Sequence, residues 1–330
     1  MGLLKNKFKF IASVLSLILL GGCGGGGSSL DEPNPVYNPP TPPPVNSAPE
    51  CIESAYANTL YCTTKRLSID REFYAYIPNG IDPSNSQVPL LFSLHGYTSR
   101  ALWNMGYSGF QPIADLNKFI VIYPQGTILP STGETHWNVG GWTYGSPTND
   151  VDFISSLIDW AYSEYGIDQS KVYSTGMSNG GYMSYHLACN LSSKIASVAS
   201  VTGSMTPETF NSCNPNHPTA IMQIHGDVDT VVPYYGNWRS RSIPEVMQFW
   251  EDYNNCQSEE IIALPDMNND GDAGLLYQYD ECIDNVEVVL YLMTNMGHEW
   301  PTFSNGNDIS SAEIIWNFFR QFDINGKIIE

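Results

Sequence analysis

Basic side chains are scarce in this chain: 14 Lys and Arg stand against 34 Asp and Glu in 330 residues, a formal net charge of −20. Such a surface repels phosphate backbones, which argues against a nucleic-acid partner and favours neutral or cationic ones. Long apolar runs are missing too. The N-terminal run FIASVLSLILL, residues 10–20, is too short to cross a bilayer as a stable helix. Zinc-ligand spacing is absent as well, since no Cys-x-x-Cys pair accompanies the histidines. No internal repeat and no second apolar core follow the N-terminal region, so one domain is expected.

What is present is a core and an export signature. Hydrophobic residues make up 42% and aromatics 12%, too many for a disordered chain. Lys5, Lys7 and Lys9 precede the apolar run, which reads as a secretory signal peptide over residues 1–22. It ends in Leu20-Gly21-Gly22-Cys23, which resembles the lipobox of bacterial lipoproteins and implies acylation of Cys23. Several acyl chains on one residue would hold the protein on a membrane, where a single chain binds only marginally. Residues 23–50, glycine-rich and then proline-rich, cannot bury a core and read as an extended tether ahead of a domain at 51–330. Cys51, Cys62, Cys189, Cys213, Cys256 and Cys282 remain, an even number that suggests disulfides in an exported protein. Six cysteines allow fifteen connectivities, of which sequential pairing is the simplest.

From about residue 51, apolar strands alternate with amphipathic helices. Strands are expected at 72–78, 89–96, 119–126, 171–178, 220–226 and 286–294, too apolar for a sheet with one wet face. Between them, VDFISSLIDWAYSEY puts Phe153, Leu157, Trp160 and Ala161 on one helical face. Helices are also expected in SNGGYMSYHLAC, IPEVMQFWEDY and SSAEIIWNFFRQF. The alternation implies an α/β fold, a largely parallel sheet covered on both faces, with ligands at the carboxyl ends of its strands.

Gly176-Met177-Ser178-Asn179-Gly180 has the Gly-x-Ser-x-Gly pattern of a nucleophile elbow. Alone, the pentapeptide also fits a glycine-rich bend. Its setting, a strand before and a helix after, suits a serine on a strained turn whose glycine flanks let helix and strand approach. A serine needs a base, and in this arrangement the order along the chain is serine, acid, histidine. After Ser178, IMQIHGDVDTVVP offers Asp227 and Asp229, and only His298 follows. Asp229 is favoured because it lies deeper in the loop. His95 and His225 read as turn or packing residues, and His136, His186 and His217 have no place in the order. In this reading His298 takes the Ser178 proton, Asp229 orients the imidazole, and the N–H groups of Asn179 and Tyr97 hold the oxyanion.

Together LLFSLHGYTS, FIVIYPQG, HWNVGGW, VDFISSLID, KVYSTGMSNGGYMSYHLAC, HGDVDTVVP and GHEWP resemble the polyhydroxybutyrate-depolymerase-like esterases, which include feruloyl and acetylxylan esterases. The resemblance runs over residues 65–322 in matching order. It implies an α/β-hydrolase fold and a secreted serine carboxylesterase needing no cofactor, with Ser178, Asp229 and His298 at the matching positions. It also favours the sequential pairing of Cys189, Cys213, Cys256 and Cys282. The chain departs from the family twice: no separate polymer-binding module is expected, and VGGWTYGSPTND differs from the usual loop. The expected substrate is a soluble or oligomeric ester, feruloyl, acetyl-polysaccharide or short hydroxyalkanoate, acted on by a monomer at the cell surface. A non-catalytic binding protein of the same fold has no need of all three residues, and a serine peptidase of this fold is the other alternative.

Trp137, Trp142, Trp300, Tyr97 and Trp103 fall in loops expected at the rim, where their faces would pack on substrate, Trp300 foremost. DMNNDGD, with Asp266, Asn268, Asp270 and Asp272, resembles the start of a calcium loop, but Tyr277 stands where the bidentate Glu belongs. An acidic surface turn is expected there, and no metal.

Overall fold

Leu90, Phe92 and Leu94 on the strand Leu90–Leu94 pack into one apolar cluster, while Leu91 between them packs into another. Successive side chains of a strand point to opposite faces, so a strand apolar at every position must be covered on both sides. The computed structural model describes residues 44–83 and 87–329 and shows that arrangement.

The strands are β1 (Glu50–Glu53), β2 (Thr59–Arg66), β3 (Ile69–Tyr76), β4 (Leu90–Leu94) and β5 (Ile120–Pro124). A small hairpin, β6 (Thr127–Leu129) and β7 (Glu134–His136), precedes β8 (Val172–Met177), β9 (Ser197–Val201) and β10 (Ala220–Gly226). β11 (Ser258–Ala263), β12 (Gly274–Asp280) and β13 (Val288–Met293) follow, then the hairpin β14 (Phe322–Asp323) and β15 (Gly326–Lys327). The helices are α1 (Ala101–Tyr107), α2 (Phe110–Asn117), α3 (Asp150–Tyr165), α4 (Asn179–Asn190), α5 (Pro207–Ser212), α6 (Ile243–Asn254) and α7 (Ser311–Phe319).

Among the described residues, eleven strands form one sheet in the order β1-β2-β3-β5-β4-β8-β9-β10-β13-β12-β11. From β5 to β13 neighbours run parallel. The outer strands β1, β2 and β3 on one side, and β12 and β11 on the other, run antiparallel. Side chains of α3, α4 and α6 cover one face, and those of α1, α2 and α7 the other. Local signals set the helix ends. Asn149 caps α3 by accepting from the Asp152 N–H (3.0 Å) and left-handed Gly166 ends it, while Ser242 and Glu245 form a capping box on α6.

The three disulfides join Cys51 to Cys62, Cys189 to Cys213 and Cys256 to Cys282, the sequential set, as is consistent with an exported protein. The last residues of the expected tether are bonded to the domain. Val45 and Ser47 exchange backbone hydrogen bonds with residues 65–68, and Glu50 already belongs to β1. The expected signal peptide, Cys23 and most of the tether lie outside the described residues. Among the described residues no helix is long and apolar enough to cross a membrane.

The parallel register fixes where the site lies. Met177 and Ile224 both pair with Val201, and Gly226 pairs with Met293. The chain segments leaving β8, β10 and β13 therefore emerge along one edge of the sheet, carrying Ser178, Asp229 and His298.

Candidate active site

Ser178 joins β8 to α4 with φ 54° and ψ −119°, a conformation that residues other than glycine seldom adopt. Its N–H donates to the Val201 carbonyl (2.8 Å) and its carbonyl accepts from the Tyr182 N–H (3.0 Å), so the strained turn is held from both sides. Ser178 is the N-cap residue of α4, yet its hydroxyl does not cap the helix. An ordinary N-cap serine turns its hydroxyl onto the helix's first free N–H groups. The flanking glycines are sterically required. A Cβ on Gly176 would lie 2.6 Å from the Leu94 carbonyl oxygen and from the Gly180 backbone, and one on Gly180 would run into the same Leu94 carbonyl.

The turn after β4 lies against this elbow, for a Cβ on Gly96 would sit 3.5 Å from that of Ser178. Ser99 N–H closes the turn on the Gly96 carbonyl (3.1 Å), and Thr98 N–H ties it to Thr135 (2.9 Å). The N–H of Asn179, first in α4, and that of Tyr97 have no hydrogen-bond partner among the described residues. Two free donors therefore adjoin Ser178, one of them at a helix N-terminus, where the dipole favours negative charge.

Trp137 belongs to the support of this turn and not to a rim. It is fully buried and offers no face to a ligand, contrary to the expectation from its loop position. Its N–H donates to Asn179 Oδ1 (2.7 Å), Asn179 Nδ2 donates back to its carbonyl (3.3 Å), and its indole N–H donates to the His95 carbonyl (2.9 Å). These bonds link the β4 turn to the start of α4. Sequence reasoning missed this, since nothing in HWNVGGW says which way an indole turns.

On the opposite side, Asp229 is buried and Asp227 exposed. Asp229 Oδ1 accepts from the N–H groups of Val231 (2.8 Å) and Val232 (2.9 Å), and Oδ2 from His298 Nδ1 (2.8 Å). Burial alone would raise its pKa. The hydrogen bonds from His298 and from Val232 and Val231, with the charge of the imidazole when protonated, outweigh burial and hold it below the ordinary carboxylate value. The His298 side chain keeps 17% of its surface accessible, against none for the Asp229 carboxylate, so its ring reaches outward from a fixed base. His225 braces the same loop, donating from Nε2 to the Val232 carbonyl (2.8 Å).

The other expected rim aromatics divide. Trp142 is half-buried and stands edge-on between Tyr97 (5.5 Å, 87°) and Tyr182 (6.1 Å, 84°), one helical turn from Ser178. Trp300 is not at the rim: it is buried and packs edge-on against Tyr107 and Phe110. Proximity in sequence to His298 misled here, because the loop turns inward between the two residues. Trp103 is exposed on α1, with Arg100 over its ring.

The acidic loop brings Asp266 and Asp270 together with Asp308, their nearest oxygens within 4.8 Å of one another. Asn268 is bonded to the group, its backbone N–H donating to Asp308 (3.3 Å), while Asp272 stands apart from it. Asn268 Nδ2 donates to Asp270 (2.8 Å), and Asp272 accepts from Asn295 (2.6 Å). The carboxylates of Asp266 and Asp270 also accept backbone N–H groups of residues 270–272, as in a self-bonded surface turn.

With this geometry in hand, solved structures decide the fold. An acetyl xylan esterase from Aspergillus awamori superposes with a TM-score of 0.53 at 18% identity, covering 74% of this chain and 94% of that one. An S-formylglutathione hydrolase from Agrobacterium tumefaciens gives 0.54 at 11% identity, over 82% and 98%. The chain has the α/β-hydrolase fold. Within it, residues 148–259 match the Phospholipase/Carboxylesterase family, a span that includes Ser178 and Asp229 and ends before His298. The chain is 28% identical over 260 residues to a bifunctional acetylxylan esterase/xylanase of Neocallimastix patriciarum, covering 78% of the chain but 34% of that protein. It is also 28% identical over 254 residues to a probable feruloyl esterase C of Aspergillus terreus, covering 76% of the chain and 83% of that protein. The chain thus spans about a third of the first relative and most of the second. Its likeness is to esterases.

Proposed function

We propose that this α/β-hydrolase is a serine carboxylic-ester hydrolase that works through an acyl-enzyme. The observation that carries the reading is the buried Asp229 bonded to His298 Nδ1, on the sheet edge that also presents a strained Ser178 with an uncapped hydroxyl. His298 takes the Ser178 proton as Oγ attacks the ester carbonyl, and Asp229 stabilises the imidazolium that forms. The N–H groups of Tyr97 and Asn179 receive the oxyanion. Collapse of the tetrahedral intermediate expels the alcohol, protonated by His298, and leaves the acyl group on Ser178. Water, deprotonated by His298, then releases the acid.

The names of the relatives point to feruloyl or acetyl groups on polysaccharide, and the sequence resemblance adds short hydroxyalkanoate esters. The fold that carries this chemistry is exported, monomeric and held at the cell surface through a lipid on Cys23. The lipobox-like sequence and the disulfides support export. A fluorophosphonate probe followed by peptide mapping tests the mechanism. A label on Ser178, lost in Ser178→Ala, is expected. A folded protein that takes no label, or takes it elsewhere, overturns the assignment.

A further inference from the structure

Most exposed large apolar side chains of the described residues stand singly, apart from Ile261, Ile262 and Leu275 on the paired strands β11 and β12. The segment after β10 is different. Val228, Val231, Tyr235 and Trp238 are all exposed within residues 228–238, around the buried Asp229. Trp238, 74% exposed, is the largest of them.

This tryptophan is not on a loose loop. Asn237 and Ser240 exchange backbone hydrogen bonds (3.0 and 3.3 Å), and Asn237 Oδ1 accepts from Arg239 N–H (2.7 Å) and from the Ser240 hydroxyl (3.1 Å). Gly236, at φ 74°, has no room for a side chain, since a Cβ would lie 2.6 Å from Ser242 N. Arg241 N–H donates to the Met205 carbonyl (2.9 Å) and its own carbonyl accepts from Ser204 (2.7 Å), which ties the turn to the chain leaving β9. Ser240 faces the Tyr182 phenol, and Tyr182 lies one helical turn from Ser178. The guanidinium of Arg239 lies 4.7 Å over the indole and covers one of its faces. With the residue 74% exposed, most of the ring stays open to solvent.

We infer that Trp238 is a stacking platform for a sugar ring of a neutral glycan that carries the ester. The inference rests on the ester-hydrolase reading. A pyranose offers a flat C–H face to an aromatic ring and hydroxyls to the guanidinium and amide donors beside it. Holding the indole in place beforehand reduces the ordering cost of binding. The strongly acidic chain disfavours a polyanion. An open platform, unlike an enclosed acyl pocket, suits a chain that continues past the scissile bond. A polyester strand could offer its carbonyls to Arg239, but it has no flat ring face to lay on the indole.

The test compares wild type, Trp238→Phe and Trp238→Ala on acetylated xylo-oligosaccharide, on p-nitrophenyl acetate and on hydroxybutyrate oligomers. Trp238→Ala is expected to raise KM on the oligosaccharide about tenfold more than on p-nitrophenyl acetate, with Trp238→Phe recovering most of the loss. Equal changes on the two acetates, or a selective loss on hydroxybutyrate oligomers, would overturn the platform. Titrating unacetylated xylo-oligosaccharide into Ser178→Ala by calorimetry separates this inference from the reading beneath it. Sugar binding that disappears in the Ser178→Ala, Trp238→Ala double variant supports the platform even if no ester is turned over, and binding indifferent to Trp238 removes it even in an active esterase.

Discussion

Two strands of the sheet end in the same dipeptide, His95-Gly96 after β4 and His225-Gly226 in β10, and the two ends are wired in opposite senses. His95 donates from Nδ1 to the Gly96 carbonyl (2.8 Å) and accepts the Gly126 N–H at Nε2 (2.9 Å). His225 donates from Nε2 to the Val232 carbonyl and accepts a Gln223 amide proton at Nδ1 (2.9 Å). Each partner fixes a neutral tautomer, because a carbonyl can only accept and an N–H can only donate. Burial, the largest influence on both rings, lowers each pKa to about 4. One imidazole braces the turn that carries Tyr97, the other the loop that carries Asp229. His298 differs from both, with Nδ1 on a carboxylate, an accessible ring, and no described residue bonded to its Nε2. A histidine with both nitrogens committed to backbone and side-chain partners cannot shuttle a proton. One oriented through a single nitrogen can.

The contrast breaks most visibly at His298. His298→Ala is expected to lower ester turnover by on the order of 10⁶, the scale of losing a triad base. His95→Gln and His225→Gln should lose stability first and retain measurable activity in the folded fraction. Turnover of p-nitrophenyl acetate by folded variants, compared with thermal melts, checks this. A nearly active His298→Ala would reassign the base.

The acids sharpen the comparison next. Asp229→Asn should slow turnover by roughly 10⁴ while the fold persists, because the amide orients the imidazole without stabilising its cation. Asp227→Asn should keep most activity, since Asp227 is exposed and its backbone N–H bonds to Met293. Steady-state kinetics of both variants decide it, and the reverse ranking would move the acid by two residues.

The smallest effect concerns pH. His95 and His225 fall from 6.5 in the unfolded chain to about 4 in the folded one, so the unfolded state binds more protons between those values. Their stabilisation is complete above about pH 6.5 and is lost as pH falls toward 4. Asp229, lowered from 3.8, adds stability above its unfolded value and loses it in more acidic solution. Denaturant midpoints at pH 7.5 and 4.5 should therefore differ less in His225→Gln than in wild type. Equal differences would mean that the imidazole is not buried neutral.

The six expected strands lie on strands of the sheet because each is an apolar run bounded by turn residues. β9 escaped notice: SVASV is short and small-sided, and only its neighbours make it a strand. The antiparallel margins were equally hidden, for alternation and length do not encode which way a neighbour runs. β11, exposed along its whole length, carries no burial pattern to read.

Legible in the sequence alone were the chain order of Ser178, Asp229 and His298, the glycines around Ser178, and the deeper aspartate that the structure bonds to His298. These follow from backbone sterics and chain order, which are local or one-dimensional. Tertiary structure decided what each aromatic does. Trp137 and Trp300 turned inward to fill space, Trp142 stayed beside the elbow, and Trp238 was left in solvent by a wired turn. An indole's direction depends on which distant chain segments leave room for it, and that room exists only once the sheet is assembled.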